Sequence, residues 1–161
     1  MAVEIERKFL VRDDSWNDGS PGVRIAQGYL SLDPARSVRV RLAGQNAWLT
    51  IKGAVSGISR AEFEYPIPAA DARELLERCL PSVIDKTRHR IRYGGHLWEI
   101  DVFHGANEGL VLAEVELAGE SASPQLPPWV GAEVSSDDRY YNSSLAATPF
   151  RMFRENTGQP R

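Results

Sequence analysis

Along most of this chain apolar and polar residues alternate one for one, the period of a strand with one buried face. Seven segments carry the pattern: 3–11, 37–42, 47–53, 61–67, 87–93, 97–103 and 111–118. Short turn signals separate several of them, namely Ala43-Gly44-Gln45-Asn46, Gly94-Gly95 and Asn107-Glu108-Gly109. Strands joined this way pair antiparallel. Two segments have helical spacing instead. Residues 71–80 place Leu75, Leu76, Cys79 and Leu80 on one face before Pro81, and residues 139–147 form a less amphipathic helix ended by Pro149. Loops rich in turn formers occupy 13–22 and 121–128, and 155–161 reads as a polar, frayed tail. Neither loop separates halves that could each hold a core. The expectation is one mainly β (α+β) domain over residues 1–150, with a C-terminal tail over 151–161.

The polar side of each strand is unusual. Residues i and i+2 share a face, and on that face the charges are sorted strand by strand. Glu4 and Glu6 lead to Lys8. Arg39 stands with Arg41, Glu62 with Glu64, Lys86 with Arg88 and Arg90, Glu99 with Asp101, and Glu114 with Glu116, while Lys52 follows Thr50. Like charges about 7 Å apart repel by about 0.6 kcal/mol in water and roughly 2.4 kcal/mol at an effective dielectric of 20. A solvated face mixes signs to avoid that. Separate acidic and basic doublets call for separate partners, divalent cations for the first and a polyanion for the second. The acidic set offers only hard oxygen ligands, which suit Mg²⁺ or Mn²⁺, and the basic set suits phosphate oxygens. If the sheet curls into a barrel, one face of every strand converges on the interior. The apolar face then lies outside, to be covered by helix 71–80 and the loop around Trp129.

Composition sharpens this by exclusion. The chain has 161 residues, enough for one domain with a real core, and 42% are hydrophobic, which argues against disorder. Nineteen Lys and Arg against twenty-two Asp and Glu leave a net charge of −3, so no general nucleic-acid surface is expected. A single cysteine, Cys79, excludes an internal disulfide or a thiolate cluster and reads as core. No basic segment followed by a long apolar run opens the chain, and no stretch reaches the roughly 20 apolar residues of a membrane span, so a cytoplasmic protein with no membrane partner is expected. His89, His96 and His104 lack zinc-site spacing, Ser143-Ser144 lies outside any nucleophile elbow, and no phosphate-binding P-loop is present. Trp48, Trp98 and Trp129 read as packing residues, and Tyr29 as either packing or a neighbour of the substrate.

These residues resemble the CYTH superfamily, the triphosphate tunnel metalloenzymes. The N-terminal Glu4-Ile5-Glu6-Arg7-Lys8 matches its E-x-E-x-K signature, and QGYL, VRVR, TIK, EFEY, DKTRHRI, WEIDVF, AEVEL and DDRYYN follow in order between Gln27 and Asn142. The likeness spans residues 3 to about 148 and is greatest to the short bacterial members that hydrolyse inorganic triphosphate. It implies a closed antiparallel β-barrel of about eight strands forming a charged tunnel, with a few helices outside. By position, Lys8, Arg39, Arg41, Lys52, Lys86, Arg88 and Arg139 grip phosphates, and Glu4, Glu6, Glu114 and Glu116 hold Mg²⁺ or Mn²⁺. Lys8, Glu62, Glu64, Glu99 and Asp101 are the candidate catalytic residues, the acids orienting the basic side chains or a water. Some relatives carry a lysine where this chain has Asp138, just before Arg139. The resemblance implies hydrolysis of tripolyphosphate to pyrophosphate and phosphate by a monomer or homodimer. Alternatives are an adenylate cyclase, a thiamine triphosphatase, or a noncatalytic polyphosphate-binding module.

Overall fold

In the computed structural model, which describes residues 2–154, nine strands form one antiparallel sheet that closes on itself. In chain order they are β1 (Ala2–Val11), β2 (Val23–Ser31), β3 (Arg36–Ala43), β4 (Asn46–Gly53), β5 (Ser59–Ile67), β6 (Ile84–Tyr93), β7 (His96–Phe103), β8 (Val111–Glu116) and β9 (Val130–Glu133). The order around the sheet is β5-β4-β3-β2-β6-β7-β8-β1-β9, and a further β5–β1 pairing shuts the eight-stranded barrel. Strand β1 makes the closure by sharing one edge. Its residues 2–5 pair with β5, and farther along Phe9 and Val11 pair with β9. The β6–β7 hairpin turns through Gly94 and Gly95 at φ of 58° and 79°, the paired left-handed conformations that match strand twist.

Seven strands agree with the alternating segments to within three residues at either end. Strands β2 and β9 are additional. In β2 the inward position Gln27 and the small Gly28 interrupt the apolar row, and four-residue β9 is too short to show a period. The helical segments are shorter than their spacing predicts. Helix α1 (Ala69–Leu76) starts directly after Pro68 and then tightens, with Arg78 and Cys79 donating to the carbonyls of Leu75 and Leu76. That lets the Leu80 amide reach the Tyr29 carbonyl, and it leaves Leu80 exposed rather than on the apolar face. The second segment breaks at extended Tyr141 into a 3-10 turn (Asp138–Tyr140) and helix α2 (Asn142–Ala147). Among the described residues no helix is long and apolar enough to cross a membrane.

The outward faces carry the ordinary core. Trp98, Ile100, Ala113 and Val115 are covered by Trp16 and by Trp129, whose ring meets Trp98 edge-on at 5.7 Å. On the opposite side α1 lies over Val40 and Ala47. Inside, the faces change character partway along. Leu10, Ile84, Phe103 and Leu112 stand two residues from Lys8, Lys86, Asp101 and Glu114, on the same faces. They pack with Tyr140, Leu145, Ala146 and Phe150, so the segment after β9 plugs one end of the barrel with an apolar floor. Packing therefore continues past residue 150, as Phe153 meets both Tyr140 and Phe150 edge-on. The tail at 155–161 lies outside the described residues.

Candidate active site

Above the apolar floor the barrel encloses a cavity of about 290 Å³. Alternation delivers its wall: Glu4, Glu6 and Lys8 from β1, Arg39 and Arg41 from β3, Lys52 from β4, Glu62 and Glu64 from β5, Arg88 from β6, Glu99 from β7, and Glu114 and Glu116 from β8. Antiparallel register sets the pairs. Glu6 lies opposite Glu116, Lys8 opposite Glu114, and Lys52 opposite Glu62.

At one level Lys52 Nζ lies 2.6 Å from Glu4 Oε2, and Arg60 Nε approaches the same oxygen at 4.0 Å. Burial works to raise the Glu4 carboxyl, but Lys52, a hydrogen bond from Glu6 and Arg60 outweigh it and hold Glu4 well below the usual carboxylate range. Glu6 goes the other way. Burial, then the charges of Glu114 and Glu4, push it well above that range. Glu116 is raised by burial and by Glu4 and Glu99. Deeper, Lys8 Nζ donates to the Tyr140 carbonyl at 3.0 Å and stands 3.5 Å from Glu114. Burial opposes the charge of both, yet Lys8 keeps Glu114 low and Glu114 keeps Lys8 high.

The arginines are held from behind. Thr50 Oγ1 donates to Glu64 at 2.8 Å and accepts from Arg39 Nη2 at 3.3 Å, while the buried Nε of Arg39 has no hydrogen-bond partner. Arg41 Nε donates to Gln27 Oε1 at 3.0 Å. Burial works against the Arg41 charge, as do its neighbours Arg39 and Arg88. Arg88 forks onto Asp101 at 2.7 and 2.9 Å and reaches Glu99 at 3.3 Å. A buried orphan donor and arginines crowded by one another describe a site built for an anion.

Three expected residues sit elsewhere. Asp101 and Lys86 are sealed behind the wall, joined at 2.7 Å and exposed by 1% and 0%. Both oxygens of Asp101 are taken by Lys86 and Arg88, so it anchors cations and cannot orient a water. Burial, against the attraction of Asp101, draws Lys86 down to about 7. Arg139 is outside altogether. It forks onto Asp137 on the surface and lies over the rings of Tyr140 and Phe153, because the 3-10 turn aims Tyr140 rather than Arg139 inward. Conversely Arg60, Arg90, Tyr29, Ser37, Ser135 and the run Tyr141-Asn142-Ser143 also line the cavity. Extending the β5 face two residues before Glu62 finds Arg60. No periodicity announces the run 141–143.

A CYTH domain profile matches residues 2–146. The chain belongs to the CYTH family. Within this CYTH protein's kin, the inorganic triphosphatase of Acetivibrio thermocellus is 46% identical over 156 residues, covering 96% of this chain and all of that one. The inorganic triphosphatase of Nitrosomonas europaea is 39% identical over 149 residues, covering 89% and 96%. A crystal structure of an inorganic triphosphatase aligns with a TM-score of 0.66 at 36% identity over 89% of this chain and 97% of that one. A Hippeastrum protein described as a putative adenylyl cyclase with dominant triphosphatase activity shares the fold at TM-score 0.57 and 14% identity, over 72% of this chain.

CYTH membership implies dependence on a divalent metal. Glu4, Glu6, Glu114 and Glu116 fit such an ion by chemistry: four hard carboxylates on adjacent strands, two of them, Glu6 and Glu116, driven up by burial and by the charge of neighbouring carboxylates. Among the described residues no three acidic, histidine or cysteine side chains already converge as a coordination sphere. Instead Lys8 faces Glu114 at 3.5 Å and Lys52 faces Glu4 at 2.6 Å, each ammonium partnering one of these carboxylates.

Proposed function

We propose that this protein is an inorganic triphosphatase that hydrolyses tripolyphosphate to pyrophosphate and orthophosphate, as its relatives are named to do. The observation that carries the reading is the internal cavity in which the cations Lys8, Arg39, Arg41, Lys52 and Arg88 face a single enclosed space. A linear polyanion laid there satisfies the orphan Arg39 donor and relieves the crowding of Arg41. Phosphoryl transfer asks mainly for positioning and charge neutralisation, which this wall supplies without a nucleophilic side chain. Glu4, Glu6, Glu114 and Glu116 would hold Mg²⁺ or Mn²⁺, which when bound neutralises phosphate oxygens facing the attacking water. Attack of that water in line on a terminal phosphorus forms one P–O bond and breaks the bridging one. Pyrophosphate leaves and the water's proton passes to solvent. Glu62, at the cavity wall with its carboxyl raised by burial and by Glu4, stands where it can orient the water. Glu64 and Glu99 steady Arg39 and Arg88, and Asp101 anchors Arg88 from below.

The test is orthophosphate release from tripolyphosphate, ATP and thiamine triphosphate in parallel, with Mg²⁺, Mn²⁺ or chelator. Turnover of tripolyphosphate at least tenfold above the other two, abolished by chelator, is the expected result. Cyclic AMP from ATP, or tight binding of all three without turnover, would overturn it.

A further inference from the structure

Behind the phosphate-facing arginines runs a buried row of polar groups whose direction is fixed at both ends by cations. Lys86 Nζ donates to Asp101 and to the Asn142 amide, which therefore presents Oδ1 to it, at 3.2 Å. The same oxygen accepts from Gln27 Nε2 at 3.0 Å. Gln27 is thereby left with Oε1 as its free atom, and that oxygen accepts from Arg41 Nε at 3.0 Å. At the other end Lys86 donates to Asp101, which also accepts the fork of Arg88. Gln27, Lys86 and Asp101 are shut off from solvent, at 0%, 0% and 1% exposure. No member can flip without setting donor against donor or acceptor against acceptor.

Every member of this row but one belongs to the barrel. Asn142 is the first residue of α2, and two elements hold it in place: Leu145 and Ala146 are buried in the floor, and Ser82 Oγ bonds the Ala146 carbonyl. We infer that Asn142 is a positioning residue. Through the Gln27 and Lys86 bonds it fixes Arg41 and Arg88 relative to each other, so that two arginines on separate strands meet one polyphosphate in register. The inference rests on the triphosphatase reading for its substrate but not for its geometry. It gives the plugging segment a role beyond closing the barrel, since that segment supplies the acceptor on which the arginine pair is aligned.

The experiment compares Asn142→Ala, Gln27→Met, the double variant and Asn142→Asp by tripolyphosphate turnover, by calorimetric binding of inorganic tripolyphosphate without added metal, and by thermal melting. Asn142→Ala is expected to lower kcat/KM by tenfold or more and to weaken binding by a similar factor. The double variant should lose no more than the worse single one, because both break one row. Asn142→Asp still accepts from Gln27 and Lys86, so it should recover most of the kcat lost in Asn142→Ala while its extra charge raises KM for the anion. A purely structural role predicts no such split. Asn142→Ala within twofold of the parent, a double variant losing the product of the single losses, or Asn142→Asp as poor in kcat as Asn142→Ala would each overturn the inference. If Asn142→Ala does not fold, Gln27→Met and Asn142→Asp decide the matter by the same criteria. A parent that binds tripolyphosphate without hydrolysing it defeats the functional reading alone, and the binding series then tests the alignment. A parent that does neither defeats both.

Discussion

Asp101→Asn removes one charge from a place where two buried cations depend on it. The side chain is 1% exposed and receives Lys86 at 2.7 Å and both prongs of Arg88 at 2.7 and 2.9 Å. The asparagine keeps the shape but turns one acceptor oxygen into a donor facing a donor. Breaking a buried pair from one side costs about 3–5 kcal/mol. Lys86 lies at the low end of that cost, because burial has already drawn it to about 7 and it can shed its proton. At about 3 kcal/mol, and about 2–4 °C per kcal/mol for a chain of this size, the melting temperature should fall by about 6–12 °C at pH 7. Acidification tests the cause. Burial works to raise Asp101, but Lys86 and Arg88 hold it below its ordinary 3.8. A depressed carboxyl stabilises fully above that ordinary value and loses its contribution as pH falls below it. The gap between parent and variant should therefore be widest near neutrality and shrink below pH 3.8. Denaturant unfolding across a pH series reads it directly. A variant within 2 °C of the parent at pH 7, or a gap that widens on acidification, would refute the anchoring role (the 2 °C being about 1 kcal/mol here).

Glu116→Gln, and equally Glu6→Gln, should cut metal-dependent phosphate release by about a hundredfold or more while leaving the melting temperature of the metal-free protein unchanged or higher, since each removes a like charge; phosphate release and melting are measured side by side. Phe150→Ala empties a fully buried position in the floor and should cost about 3–5 kcal/mol, read as a drop in denaturant midpoint. Arg139→Ala breaks only a surface fork and two ring contacts, so stability should change by about 1 kcal/mol or less, with kcat and KM for tripolyphosphate unmoved. A tenfold loss of kcat/KM there would restore Arg139 to the phosphate site.

What the alternation of residue types made legible was the wall. Seven strands and the inward direction of Arg39, Arg41, Lys52, Glu62 and Glu114 follow from parity alone, because a pleated strand offers only two faces. Depth did not follow. Parity puts Lys86 and Arg88 on one face, but only the closing of the barrel over α2 decides that Lys86 is sealed while Arg88 reaches the cavity. Strand β2 was hidden because its inward residue Gln27 is an amide paired across the interior, neither apolar nor charged. The run 141–143 was hidden for a different reason. Residues 138–147 are two short pieces broken at Tyr141, with no period to read, and their place is set by Leu145 and Phe150 sinking into the floor.

The two-faced wall also limits how this sequence can drift. In most sheets a one-residue deletion spoils a single buried surface. Here a deletion within β3 would swing Arg39 and Arg41 outward beneath α1 and send Val38 and Val40 into the anion cavity, ruining core and site in one event. Changes of length within barrel strands are tolerable in pairs of residues or where a bulge absorbs the odd one, as between Tyr29 and Ser31 of β2, and other single insertions belong in the turns. Homologous barrels should therefore vary in their connections while their strands keep count.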